Sequence, residues 1–163
     1  MTDGNKQLIE TALAETTVSD EHAALQAKVK EEYEDYLASG DTGIFDSADW
    51  YALQTWNGGD KVANLSLVEY LAVNAYAGYQ WLEDLGVTFK DAISQGPGSL
   101  YPRTNDTTTG LGAEFVDTYA TYLQNNYGDN WKVYYGVTAD ELIVDTVVYG
   151  KTAGEQAAAY NRD

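Results

Sequence analysis

The chain contains no cysteine and a single histidine, His22. The first absence excludes disulfides, thiolate nucleophiles and cysteine-ligated zinc or iron–sulfur sites. The second excludes a His–His metal pair and any catalytic dyad that needs a second histidine. Basic residues are scarce: Lys+Arg 9 stand against Asp+Glu 26, a formal charge of −17. A chain this acidic repels phosphate backbones and anionic lipid, so neither nucleic acid nor a membrane surface is expected as a partner. No run approaches the ~20 consecutive apolar residues of a membrane span. The first ten residues, MTDGNKQLIE, lack the basic-then-apolar plan of a signal peptide. None of this fixes a compartment.

What is present reads as a globular chain, with 44% hydrophobic residues over 163 positions, the length of one domain or of a fragment of a larger one. Helical spacing first appears at Leu8, Ile9, Ala12 and Leu13. Ser19 is a good N-cap for a helix over 20–39, with Asp20 and Glu21 where the helix dipole favours acids. Leu25, Val29, Tyr33, Tyr36 and Leu37 form its apolar stripe. The acid run Glu31–Asp35 falls on the wet side, and His22 reads as a solvated residue at the helix entry. Asp41, Asp46 and Asp49 lack the spacing of a calcium loop. A third helix starts near Ser47, holds Trp50, Leu53 and Trp56, and stops at Gly58-Gly59. The best-specified helix covers 66–85. Ser66 and Glu69 suggest a capping box, and Gly86 sits at the left-handed C-terminal position.

Beyond it the spacing predicts a short strand at 87–89, a long loop over 94–112 that holds both prolines, and a helix over 112–126. Strands rich in Val, Ile and Tyr are expected at 131–136 and 140–150, followed by a weakly patterned tail, 151–163. The expected class is therefore α+β, helix-dominated through its N-terminal two thirds, then a helix and a few strands. Gly110-Leu111-Gly112 invites a nucleotide-binding reading. It fails the dinucleotide fingerprint because Phe115 stands where a third glycine belongs and the preceding threonines read as a loop. Glu114 in the first turn would repel a pyrophosphate. A tight entry into a helix is the expected role.

Three runs, SLVEYLAVNAYAGYQWLEDLGVTF, SLYPRTNDTTTGLGAEFVDTYATYLQNN and VYYGVTADELIVD, resemble the interior of FAD-dependent fumarate reductase-type flavoproteins, a family that includes urocanate reductases. The matching positions are Trp81 to Gly86, Arg103 to Asn105, Gly110 to Gly112, and Thr138 to Ile143, and the likeness spans roughly 5–150. The resemblance implies that 20–86 is a helical insertion and 87–150 a partial strand–helix–strand unit, an incomplete piece of a FAD-binding α/β fold. It implies FAD in the parent protein, with the backbone at Ala139 facing the adenine. The family's glycine phosphate loop lies upstream of this region, and its His-Pro-Thr, Thr-Glu and proton-donating arginine lie downstream. This sequence contains neither, so the chain alone is expected to hold no FAD, to contribute no catalytic residue and to be inactive. The resemblance also makes the missing segments of the parent its natural partners.

Two departures stand out. Asn105 replaces the family's histidine and Asp106 the next basic residue, which leaves Arg103 without its companions. Arg103 could meet a substrate carboxylate or a flavin phosphate, but an ion pair with one of the many acids is the expected role. Two other readings remain open: a free-standing helical interaction module, and a carbohydrate- or surface-binding domain built on the 14 Tyr and 4 Trp. Strands near 131–149 without their sheet would leave Tyr134, Val144 and Val148 under-buried, so self-association that grows with salt is expected.

Overall fold

Three side chains, Ser19, Ser47 and Asn64, start three of the helices that build the first part of the molecule. The computed structural model describes residues 1–110 and 112–138. Within them lie five α-helices and one two-stranded sheet. Helix α1 (Asp3–Ala14) begins where the Thr2 hydroxyl accepts from the Asn5 amide. Helix α2 (Asp20–Ser39) begins at Ser19, whose hydroxyl accepts from the His22 amide, and ends on Gly40 at φ +72°. Helix α3 (Ala48–Gly58) begins in the same way at Ser47, which accepts from the Trp50 amide. Helix α4 (Leu65–Leu85) ends on Gly86 at φ +107°, and the Val87 amide reaches back to the Leu82 carbonyl at 3.0 Å. Only glycine takes that left-handed conformation without strain, so Gly86 terminates α4 as its position suggests.

The start of α4 differs from the expected capping box. Asn64 is the cap: its side-chain oxygen accepts from the Ser66 amide at 3.0 Å, and Ser66 lies inside the first turn. Asparagine caps as well as serine, and starting earlier brings Leu65 into the helix and into the core.

Strands β1 (Phe89–Ser94) and β2 (Thr104–Thr107) pair antiparallel, with Phe89 opposite Thr107 and Ser94 opposite Thr104 and an irregularity between Phe89 and Ile93. The strand expected at 87–89 therefore runs further on, and the expected loop over 94–112 contains its partner. Thr104–Thr107 carries no apolar alternation, so only the pairing reveals it. Residues 131–138 form no strand among the described residues. A strand needs a neighbour to hydrogen-bond with; the other strand expected here, 140–150, lies outside the described residues.

Residues 1–110, holding α1 to α4 and the hairpin, form one compact unit. Its core joins Ile9 of α1, Leu25, Val29 and Tyr33 of α2, and Trp50, Leu53 and Trp56 of α3 to Leu65 and Ala72 of α4 and to Tyr101. His22 belongs here too. It is fully buried, with its ring edge on Trp56 at 5.0 Å and its Nδ1 accepting from the Val18 amide at 3.2 Å. The reading of His22 as a solvated residue is thus corrected. Positions 22, 25, 29 and 33 follow one helical face, and His22 is the first residue of that stripe. The last expected member, Leu37, is 53% exposed, whereas Tyr36 beside it packs against the core.

The second unit starts at residue 111. It contains helix α5 (Ala113–Tyr127) and a 3-10 turn at Gly128–Asn130. No residue of α5 is buried. Helices dominate the described residues, so the architecture is the helix-rich α+β class that the stripes and caps predict. No helix among the described residues is long and apolar enough to cross a membrane.

Candidate functional site

The connection between β1 and β2 carries Tyr101-Pro102-Arg103, and these residues clip the hairpin onto the helices. The Tyr101 ring is fully buried and meets Trp50 edge-on, with centroids 5.6 Å apart. Its hydroxyl donates to the Phe45 carbonyl. Burial, with the Asp46 carboxylate nearby as the next contribution, pushes the Tyr101 phenol up to about 12.

Two residues on, Arg103 projects onto α3 and the loop before it. Its Nε donates to both Asp46 oxygens at 3.1 and 2.8 Å, Nη2 donates to Asp46 Oδ1 at 2.7 Å, and Nη1 donates to Gln54 Oε1. The guanidinium lies over the Tyr101 and Tyr51 rings, 4.6 and 4.7 Å from their centroids. Planar, forked and stacked, this is a site that arginine fits and lysine does not. The internal ion pair expected for Arg103 is therefore present, and its partner is Asp46.

Beside this clip, α3, α4 and the hairpin enclose an open cleft of about 640 Å³, whose walls include Asp46, Tyr51, Tyr76, Tyr79, Ile93 and Arg103. Tyr76 and Tyr79 stack at 6.1 Å, and Tyr79 packs on Phe89 at 4.6 Å. The Tyr79 hydroxyl donates to Glu83 at 2.8 Å, and that bond raises the Tyr79 pKa above its ordinary value. Asp46 cancels the charge of Arg103, so the cleft offers aromatic faces and a neutralised pair. It can stack against a ring or hold a chain segment. The Ser47 hydroxyl on its wall donates to Glu32 at 2.6 Å while it caps α3 by accepting from the Trp50 amide, and no metal-binding cluster occurs among the described residues.

Of the Gly-Leu-Gly stretch, Gly110 and Gly112 are described. Gly110 is at φ +71°, and its amide returns to the Thr107 carbonyl at 2.9 Å as a tight turn. Thr108 and Thr109 before it form a turn in keeping with the expected loop, while Thr107 ends β2, the second strand of an antiparallel hairpin. Gly112 occupies the cap position of α5 without a side-chain bond, and Glu114 sits in the first turn. A pyrophosphate would meet that carboxylate. Ala139, the position implied to face an adenine, lies outside the described residues.

Sequence reasoning singled out Arg103 but not its partners. Any of 26 acids could have paired with it, and only the fold selects Asp46. Tyr76 and Tyr79 were legible as helix positions, not as a wall.

Comparison with known proteins adds the decisive observation. The chain is 30% identical over 118 residues to the Probable fumarate reductase Ifc3 of Shewanella frigidimarina, a match covering 69% of the chain. Over that segment the chain is fumarate reductase-like. It is also 27% identical over 130 residues, 74% of its length, to the NADH:acrylate oxidoreductase of Vibrio harveyi. The chain spans 20% of the fumarate reductase-like relative and 12% of the acrylate-acting one. No protein-family profile matches the chain, and no solved structure matches it.

Proposed function

We propose that the chain is a segment of a FAD-dependent fumarate reductase-like oxidoreductase, and that it is catalytically silent by itself. The observation that carries this reading is the pair of relatives, each matched over about 70% of this chain but only 12–20% of its own length. Their names point to fumarate and acrylate, both carbon–carbon double bonds conjugated to a carboxylate. The parent reaction would add a hydride from reduced flavin and a proton across such a bond. Within this chain Arg103 is not a candidate proton donor, because its guanidinium is committed to Asp46 and Gln54. The turn at Gly110 and the first turn of α5 do not fit a flavin pyrophosphate, so the cofactor would be held by other parts of the parent. The residues here supply a helical body with a clipped hairpin.

A second reading, an aromatic-rich binding module, draws support from the tyrosine-walled cleft. Reading the DNA on both sides of this frame separates the two. The flavoprotein reading expects a glycine phosphate loop upstream and a His-Pro-Thr segment downstream. Stop codons and unrelated genes on both sides would overturn it in favour of a binding module.

A further inference from the structure

Helix α4 has two apolar faces, and the first compact unit, 1–110, buries one. The inner face, Leu65, Val68, Ala72, Ala75 and Tyr79, is the one turned to the core and the cleft. On the other side lie Leu67, Tyr70, Leu71, Asn74, Ala77 and Gly78, at steps of three and four residues. There Leu67 is 68%, Tyr70 70% and Leu71 53% exposed. Asn74 folds its amide back onto the Tyr70 carbonyl at 2.7 Å, so it leaves the face flat. A Cβ added at Gly78 would meet nothing within 4 Å, which lets a neighbouring backbone come close.

We propose that this outer face of α4 is the surface through which the segment packs against the remaining body of a fumarate reductase-type polypeptide, by contact with an uncharged apolar helix or sheet face. The proposal rests on the family reading above. Residues 70–82 carry no charge in a chain of −17. By contrast the wet side of α2 carries Lys28, Lys30, Glu31 and Glu34. A helix face meant for water is diluted with charge in that way, whereas contiguous exposed apolar surface larger than roughly a few hundred Å² marks interaction sites. The occupant follows from two observations. At least four fifths of each relative lies beyond the matched part, so a covering body of the right origin exists in the parent. A second copy of this chain would bring its own charge of −17 to the contact, which opposes association.

The test exchanges residues of the Shewanella frigidimarina relative for the matched segment of this chain and measures flavin per polypeptide and fumarate reduction. Three versions are compared: unaltered, Leu67→Lys/Leu71→Lys, and Ala24→Lys/Ala27→Lys on the exposed side of α2. The same substitutions are made in the free chain. The proposal expects the free chain to keep its melting temperature within ~2 °C in both variants, since surface substitutions cost little. It expects the exchanged protein to retain flavin with the α2 pair and to lose it at least tenfold with the α4 pair. Equal flavin content in all three versions would overturn the surface while leaving the family reading standing. An unaltered exchange with no flavin would overturn the family reading and the proposal with it. A discrete dimer of the free chain that the α4 pair abolishes, with the exchanged protein unaffected, would assign the face to a second copy and overturn the proposal.

Discussion

Removing one oxygen atom tests the clip that holds the hairpin to the helices. Tyr101→Phe keeps the ring, its volume and its edge contact with Trp50, so it opens no cavity. It deletes the hydroxyl that donates to the Phe45 carbonyl. Phe45 is itself buried, so that carbonyl loses its partner where water does not replace it. Leaving a buried acceptor unsatisfied costs about 1–3 kcal/mol, a sizeable part of the roughly 5–15 kcal/mol that holds a domain together. For a chain of this size each kcal/mol lowers the melting temperature by roughly 2–4 °C. Urea denaturation followed by tryptophan fluorescence reads the loss directly. The same variant has a signature at high pH. Burial raises the Tyr101 phenol from its ordinary value of 10 to about 12. A group with a raised folded pKa contributes stability fully present below pH 10 and lost as pH rises through 12. The variant should therefore lose less stability between pH 10 and 12 than the unaltered chain does. A loss under ~0.5 kcal/mol at pH 7, or an unchanged alkaline slope, would refute the role given to Tyr101.

Three further outcomes follow from the geometry. The Arg103–Asp46 pair is partly shielded, with 16% and 37% of the two side chains exposed, so a double-mutant cycle with Arg103→Met and Asp46→Asn should give a coupling of about 1–2 kcal/mol, between a surface pair and a buried one; a value near zero would make the clip ornamental. Asn64→Ala should destabilise by about 1 kcal/mol while Ser66→Ala stays within ~0.5 kcal/mol, and the reverse order in thermal melts would restore the capping box. Burial, reinforced by Lys61, lowers the His22 pKa below its ordinary 6.5, with Glu15 opposing. Its contribution to stability is then present above pH 6.5 and lost as pH falls through the lower folded value. A histidine NMR titration with its midpoint at or above 6.5 would contradict the buried placement.

Much of the helical body was legible because its signals are local. Ser19 and Ser47 cap where they stand in the sequence, and Gly40 and Gly86 stop helices by taking backbone angles that other residues resist. The stripe on α2 was readable from Leu25 to Tyr33, yet its first member was missed because a histidine beside acids looks solvated. The hairpin was half hidden for a different reason. Thr104–Thr107 reads TNDT, with no apolar alternation, and becomes a strand only through its pairing with β1. The site was hidden most of all. Arg103 is one of two arginines in the sequence, but Asp46 and Gln54 lie 57 and 49 residues away, and no spacing rule connects them. The resemblance to reductases was carried by short motifs in order, a signal that names relatives without positioning a single side chain.

The most direct test of the account is the cofactor content and activity of the purified chain. It is expressed with flavin available, its visible absorbance is recorded, and fumarate reduction is assayed with a reduced dye in the presence of added FAD. FAD binding in such folds depends on backbone amides at the N-terminus of a glycine-loop helix, whereas here the Gly110 amide is bonded to the Thr107 carbonyl and Glu114 stands in the first turn of α5. The account predicts a colourless protein that neither retains FAD nor reduces fumarate. A yellow protein carrying one flavin per chain, or turnover of fumarate by the chain alone, would contradict it.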